Sequence, residues 1–301
     1  MKYRFIDLFA GAGGLSEGFI RAGYEPIAHI EMDHYACDSL KTRAAFHYLK
    51  ENGKLEIYEE YLKNKKEKTD GSWLWNQVPK SVIDSVIQEA IGKETLPSLF
   101  ERVDKLCNGK PVDMIIGGPP CQAYSVAGRA RLGKKIEEDP RNDLYKFYVE
   151  FLKRYKPKMF VFENVLGIFT AKGGEPFRDL IRLVRELDYN IDFREQIASQ
   201  HGVLQKRHRV IIVGWQNKRD TQEDTSYHYP YLLEEQMPYK MMRDLFCDLP
   251  IVKAGEGTLC GIVHYTKPLS DMEYLKKSGI RGVLSFTTQH IARPNTVSYT
   301  H

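Results

Sequence analysis

Phe5-Ile6-Asp7-Leu8-Phe9-Ala10-Gly11-Ala12-Gly13-Gly14 is the stretch that decides the fold. Residues 5–9 form a short apolar run suited to a buried strand. After the glycine turn, Leu15, Gly18, Phe19 and Ala22 fall at helical spacing. Strand, glycine turn and helix make the first unit of a nucleotide-type site, where missing Cβ atoms let a ligand lie against the backbone. Taken alone, the turn serves equally well as a tight structural corner. A second strand, residues 26–30, ends in Glu31, 20 residues beyond Gly11. That spacing suits an acid that accepts hydrogen bonds from ribose hydroxyls. Loop and acid together point to an adenosine-containing cofactor.

Three more segments lie further out. The apolar run 112–116 leads into Pro119-Pro120-Cys121-Gln122. The prolines lack N–H groups and fix φ, so this loop is stiff. A thiol held there, at the carboxyl end of a strand, suits a nucleophile that meets its target at a fixed angle; the plain alternative is a small buried residue. Residues 158–162 read as a strand ending in Glu163-Asn164-Val165, and Gln205-Lys206-Arg207-His208-Arg209 directly precedes the apolar run 210–213. Each also has a structural reading: Glu163 beside a helix cap, the arginines on a solvated turn.

In this order, FIDLFAGAGG, Glu31, GGPPCQAYS, FENV and QKRHR closely resemble the DNA (cytosine-5) methyltransferase family, prokaryotic restriction-modification type, over roughly residues 3–215. The resemblance implies an α/β fold: a doubly wound, mostly parallel sheet of the S-adenosylmethionine-dependent methyltransferase (Rossmann-like) type. It implies methyl transfer from S-adenosyl-L-methionine to C5 of cytosine in double-stranded DNA, through a bond between Cys121 and C6 of a flipped-out base. Cys121 is then the nucleophile, Glu163 meets the ring nitrogen, and Arg207 and Arg209 hold the pyrimidine oxygen or the adjacent phosphate. The residues implied for the cofactor are Asp7, Phe9, Ala10, Gly11, Gly13, Gly14, Leu15, Glu31, Met32, Pro119 and Leu144. Gln122 and Ser125 belong to the loop that closes over flipped DNA. Arg129 and Arg131, in a basic cluster with Lys134 and Lys135, either contact phosphate beside the nucleophile or form a solvated loop.

Two other functions remain open on these residues. A tRNA cytosine-5 methyltransferase shares PPCQ and ENV. That branch carries Cys-Phe-Thr where this chain has Ser285-Phe286-Thr287, which favours DNA. An inactive DNA-binding pseudo-methyltransferase would be marked by loss of Cys121 or Glu163, and both are present, but the missing C-terminal part keeps the reading of an inactive fragment open.

Composition sets outer bounds. The chain has 301 residues, 42% hydrophobic and 28% charged, enough for one large α/β domain with or without a smaller companion. No apolar run approaches the roughly 18 residues of a membrane span. Five cysteines without a CxxC pair indicate neither a disulfide framework nor zinc, and the nine histidines lack ligand spacing. Reduced thiols suit the cytoplasm. A net charge of +4 permits nucleic-acid binding without demanding it.

Along the chain, residues 1–217 read as the catalytic domain. Within it, about 50–108 reads as a charged, helical insertion with an amphipathic run, Val82, Ile83, Val86, Ile87, Ala90 and Ile91. The family places an acid for the adenine amino group before PPCQ, and Asp104 is the nearest candidate. Residues 143–156 read as a helix whose core stripe is Phe147, Phe151 and Tyr155, and 176–187 as another. Residues 191–197 with 210–213 close the sheet as a hairpin. Residues 218–301 read as a partial target-recognition region. The family's arginine-proline-threonine and glycine-asparagine motifs are not found before His301. The resemblance therefore implies a chain truncated at its C-terminus, lacking at least one covering helix beside Phe9 and Leu15. A monomer completes the expectation, and whether a cognate restriction endonuclease is encoded nearby stays open.

Overall fold

Strand β1 (Arg4–Leu8) pairs in parallel on both sides, with β2 (Glu25–Glu31) and with β4 (Met114–Gly117). It thus lies inside the sheet, and four of its five residues are buried, as strands covered on both faces must be. The computed structural model describes residues 2–65, 70–120, 143–217, 229–230, 238–282 and 284–294. The chain divides into two units: 1–43, 81–197 and 207–232 form the first; 44–80, 198–206 and 233–301 form the second.

The first unit holds a seven-stranded sheet of order β3-β2-β1-β4-β5-β7-β6, with β3 at Val86–Gln88, β5 at Met159–Asn164, β6 at Tyr189–Ile197 and β7 at His208–Gln216. All pairings are parallel except β5 with β7 and β6 with β7. The expected α/β, doubly wound, mostly parallel sheet and its closing hairpin are therefore found. Helices α1 (Gly14–Arg21) and α2 (His34–Glu51) follow β1 and β2; residues of α2 from 44 onward count with the second unit. Helix α6 (Leu96–Cys107) precedes β4, α7 (Leu144–Tyr155) precedes β5, and α8 (Glu175–Glu186) precedes β6.

Side-chain alternation along the strands builds a core on each face. Ile6, Leu8, Ile115, Phe160, Phe162 and Ile212 pack with Leu99 and Val103 of α6, Tyr148, Phe151 and Leu152 of α7, and Leu180 of α8. Tyr148 is fully buried, and its hydroxyl donates to the backbone carbonyls of Ile115 and Val161 at 3.0 and 3.1 Å. On the opposite face Phe5, Met114 and Ile116 are buried, while Leu15, Phe19, Met159 and Val161 packed around them are only partly so.

Two expectations need correction. The run 82–91 is not one amphipathic helix: α5 (Lys80–Asp84) ends and β3 begins at Val86, pairing with His29–Glu31 of β2. β-Branched Val86 and Ile87 gain a parallel partner that their helical spacing does not reveal. The core stripe of α7 is Tyr145, Tyr148, Val149, Phe151 and Leu152, with Phe147 and Tyr155 at its margins.

The second unit contains α3 (Leu55–Asn64), α4 (Ser72–Trp75), the antiparallel pair β8 (Ile262–His264) and β9 (Phe286–Thr288), and α9 (Glu273–Ser278). Its buried polar anchor is Asp248, which accepts from Arg281 at 2.8 Å, while the guanidinium lies 4.0 Å from the Tyr265 ring centroid. Removing one partner of such a buried pair typically costs about 3–5 kcal/mol, because the other charge is left uncompensated. Asp248→Ala is therefore expected to unfold this unit at lower denaturant concentration than the wild type, as circular dichroism would measure. Among the described residues no helix is long and apolar enough to cross a membrane.

Candidate active site

The carboxyl ends of four parallel strands lie level with one another: Leu8 pairs with Ile30 and with Gly117, and Gly117 with Phe162. The loops leaving β1, β2, β4 and β5 therefore start on one edge, where open α/β sheets bind ligands. Antiparallel β7 enters at that same edge, since Val210 pairs with Asn164 and Ile211 with Glu163. This reversal brings Arg207 and Arg209, which precede a strand, among loops that follow strands.

The glycine turn is shaped by three residues at positive φ: Phe9 at 56°, Gly11 at 54° and Gly13 at 82°. A side chain at Gly13 would meet Leu40 at 2.9 Å, whereas the space around Gly11 and Gly14 is open. Glu31 fastens this turn to β2. Its carboxylate accepts from the Gly11 N–H at 2.8 Å through one oxygen, and from the Met32 and Asp33 N–H groups at 2.8 and 2.9 Å through the other. A carboxylate has about four acceptor positions, so capacity for a further donor is left. Met32 beside it is exposed, Ala10 is buried, and Phe9 and Leu15 are partly buried. The open space at Gly11, the acid and the exposed flank could together hold a nucleoside.

Asp7 sits below the turn. One oxygen faces the His29 ring Nδ1 at 3.4 Å; the other, Oδ1, is buried without a hydrogen-bond partner among the described residues. Beneath Glu31, burial first and the Glu31 charge second push the Cys37 thiol up to about 11. Burial likewise raises Cys107. Both therefore stay protonated at neutral pH and are poor nucleophiles.

On the other side of β1, Glu163 accepts from Arg209 Nε at 2.6 Å and from Arg207 Nη2 at 3.4 Å, both on Oε1. Its Oε2 has no partner among the described residues and lies over Gly118, where a Cβ would come within 2.9 Å of it. Gly118 is thus the clearance that lets the carboxylate stand at the mouth of the β4 loop. Arg209 also donates to the His208 carbonyl at 2.7 Å, and His208 is paired with Glu195 at 2.6 Å. Buried Asn164 donates to the Pro119 carbonyl at 3.4 Å and accepts from the Val165 N–H at 2.8 Å. Asn164 thus ties the β5 loop to Pro119, and Glu163 stands against Gly118 before it.

Of the residues singled out in the sequence, Cys121, Gln122, Ser125, Arg129 and Arg131 lie outside the described residues. Leu144, partly buried, opens α7. Asp104 is not at this edge. It stands on the exposed face of α6, paired with Arg154 and accepting from the Tyr155 hydroxyl at 3.0 Å. Gln88 instead pairs in register with Glu31, and the Glu89 N–H donates to the Glu31 carbonyl at 2.9 Å, so the end of β3 is what adjoins the acid. The sequence reading does not place Gln88 and Glu89 here, because their position depends on strand pairing. A β-branched pair followed by polar residues was the available signal for β3.

A profile of the family described as C-5 cytosine-specific DNA methylase matches residues 3–71 and 92–282. The type II methyltransferase M.Bpa9945I of Bacillus paralicheniformis is 32% identical to the chain, over 96% of this chain and 70% of that protein. The type II methyltransferase M1.HphI of Haemophilus parahaemolyticus is 29% identical, over 93% and 63% respectively. Among solved structures, a protein assigned as a DNA modification methyltransferase within an E. coli prophage superposes with a TM-score of 0.56 at 25% identity, covering 88% of this chain and 61% of its own. The chain thus spans 61 to 70% of the length of these three.

Proposed function

Because the chain belongs to the C-5 cytosine-specific DNA methylase family, we propose that the protein methylates C5 of cytosine in double-stranded DNA, with S-adenosyl-L-methionine as cofactor. The observation that carries this reading is the Glu163–Arg209 pair standing over Gly118 at the sheet edge that also holds the glycine turn and Glu31.

The residues present fit the cofactor. Glu31 keeps acceptor capacity for a ribose hydroxyl, the space at Gly11 is open, and the buried Asp7 Oδ1 lacks a donor among the described residues. Phe9, Ala10, Gly13, Gly14, Leu15, Met32, Pro119 and Leu144 would line the same pocket. When bound, the cofactor supplies the electrophilic methyl carbon that an activated C5 takes up.

The remaining work falls to the chain. Cytosine C5 is a poor nucleophile, so a covalent route splits the barrier. The Cys121 thiolate would form a bond to C6, moving an electron pair onto C5. After methylation a base removes the C5 proton, and its electron pair expels the thiolate. Glu163 would meet the ring nitrogen through Oε2, its free oxygen, while Arg209 holds Oε1. The Nη2 of Arg209, with Arg207, would lie toward the pyrimidine oxygen or phosphate. C6 is stacked inside a duplex, so the base must be flipped out at a cost of a few kcal/mol. Gln122, Ser125, Arg129 and Arg131 would offset part of that.

Residues 1–217 then carry the catalytic domain and 218–301 part of the target-recognition region. The same reading makes the protein a cytoplasmic monomer. Methyl transfer from labelled cofactor to duplex DNA, beside tRNA, is the test. Label in DNA and not in tRNA is expected, and the reverse would assign the RNA branch.

Glu31→Ala is expected to weaken cofactor binding about tenfold or more, from loss of a charge-assisted hydrogen bond. It should also loosen the glycine turn, since the Gly11 N–H loses its acceptor. Equal calorimetric affinity for variant and wild type would remove Glu31 from the cofactor site.

A further inference from the structure

His29 has no part in the chemistry described so far, yet it is 4% exposed and lies in the interior of β2 beside a buried aspartate. Its Nδ1 is 3.4 Å from Asp7 Oδ2, and its ring meets Phe5 edge-on at 6.2 Å between centroids. The surroundings on that face are apolar: Phe5, Met114 and Ile116 form the core there. A buried polar pair in such a place is no more stabilising than apolar residues of similar volume. Fold stability therefore does not account for it.

The pair also leaves a debt. Asp7 Oδ1 is buried and has no hydrogen-bond donor among the described residues. Such an acceptor is destabilising unless something satisfies it. Asp7 precedes the positive-φ turn of Phe9 to Gly13 by only two residues. The donor that arrives with a ligand at that turn is the natural candidate, and the ammonium of an amino-acid moiety is a strong one.

We propose that His29 is a positioning residue of the cofactor site. Its Nδ1–H donates to Asp7 Oδ2 and fixes the carboxylate, so that Oδ1 is presented to the cofactor's ammonium, directly or through one ordered water. This rests on the cofactor reading above. Asp7 touches the ligand; His29 acts only through Asp7.

The test is calorimetric affinity of the whole chain for S-adenosylhomocysteine, which carries the same ammonium and no reactive methyl group. Four proteins are compared with the wild type: His29→Leu, His29→Asn, Asp7→Asn and the Asp7→Asn/His29→Leu double variant. Asparagine places an amide nitrogen where Nδ1 stands and so keeps the donor. His29→Leu is expected to weaken binding about tenfold, while His29→Asn stays within about threefold of wild type. In the Asp7→Asn background, His29→Leu should add no further loss, since both changes remove one unit. Leucine binding like the wild type, asparagine losing as much as leucine, or losses that multiply would each overturn the proposal. A merely structural histidine would lower thermal stability in both single variants without this pattern in affinity. If His29→Leu does not fold, nitrogen NMR of the wild type decides. The His29 Nδ1 resonance should be protonated and shift on saturation with S-adenosylhomocysteine, and an unresponsive ring overturns the role. A wild-type chain that binds no S-adenosylhomocysteine overturns the cofactor reading itself, and this inference with it.

Discussion

Cys121→Ser is expected to abolish methyl transfer, by at least about a thousandfold, while leaving affinity for duplex DNA nearly unchanged. A serine hydroxyl has almost the size of the thiol but is far less ionised at neutral pH, and the anion is the nucleophile. The other thiols of the first unit cannot stand in. Burial and the Glu31 charge hold Cys37 near 11, and burial raises Cys107 as well. The position of the loop supports the assignment: Asn164 holds the Pro119 carbonyl, and Gly118 lies against Glu163. The wild type should also form a stable adduct with duplex DNA containing 5-fluorocytosine, because fluorine cannot leave as a proton. The serine variant should form none. Single-turnover rates of the variant equal to wild type, or an adduct mapped to another cysteine, would sink the assignment.

How much of this was legible in the sequence depends on whether a feature is local. The unit from β1 through the glycine turn to α1 is local. Its apolar run, its glycines and Glu31 at the end of β2 could all be read directly, as could β5 and the β6–β7 hairpin. The end of β3 could not. Val82, Ile83, Val86 and Ile87 satisfy helical spacing, and only the pairing of Val86–Gln88 with β2 decides against it. Asp104 failed for the same reason in reverse. It is near PPCQ in sequence, but α6 carries it to an exposed face where Arg154 and Tyr155 hold it. The α7 stripe is rotated from the aromatics at i, i+4, i+8, because Tyr148 and Leu152 fill the space over Phe160 and Phe162. In the site, the residue types were legible and their mutual contacts were not. Nothing in QKRHR says that Arg209 reaches Glu163, which lies 46 residues earlier. That contact exists because β7 runs antiparallel to β5.

Glu163→Gln puts that contact to use. Both guanidinium contacts of Glu163 fall on Oε1, leaving Oε2 over Gly118 without a partner among the described residues. The glutamine carbonyl can occupy the Oε1 place and still accept from Arg209 Nε. Its NH2 then stands where Oε2 stood. The shape is kept, the Arg209 anchor is kept, and the group facing the substrate becomes a fixed donor that can neither take up nor release a proton. If Oε2 shares a proton with the cytosine ring as Cys121 adds, the chemical step should slow about a hundred- to ten-thousandfold, with cofactor affinity and thermal stability nearly unchanged. Arg209→Ala separates the two roles of the pair. It leaves the carboxyl but frees it to leave Gly118, so the rate should fall although the proton-carrying group remains. Glu163→Gln must therefore be slow with an intact anchor, and Arg209→Ala slow with an intact acid. A glutamine variant as fast as wild type in single turnover, combined with a slow Arg209→Ala, would show that Glu163 serves only to hold the arginine. The proton would then have to come from elsewhere on this sheet edge.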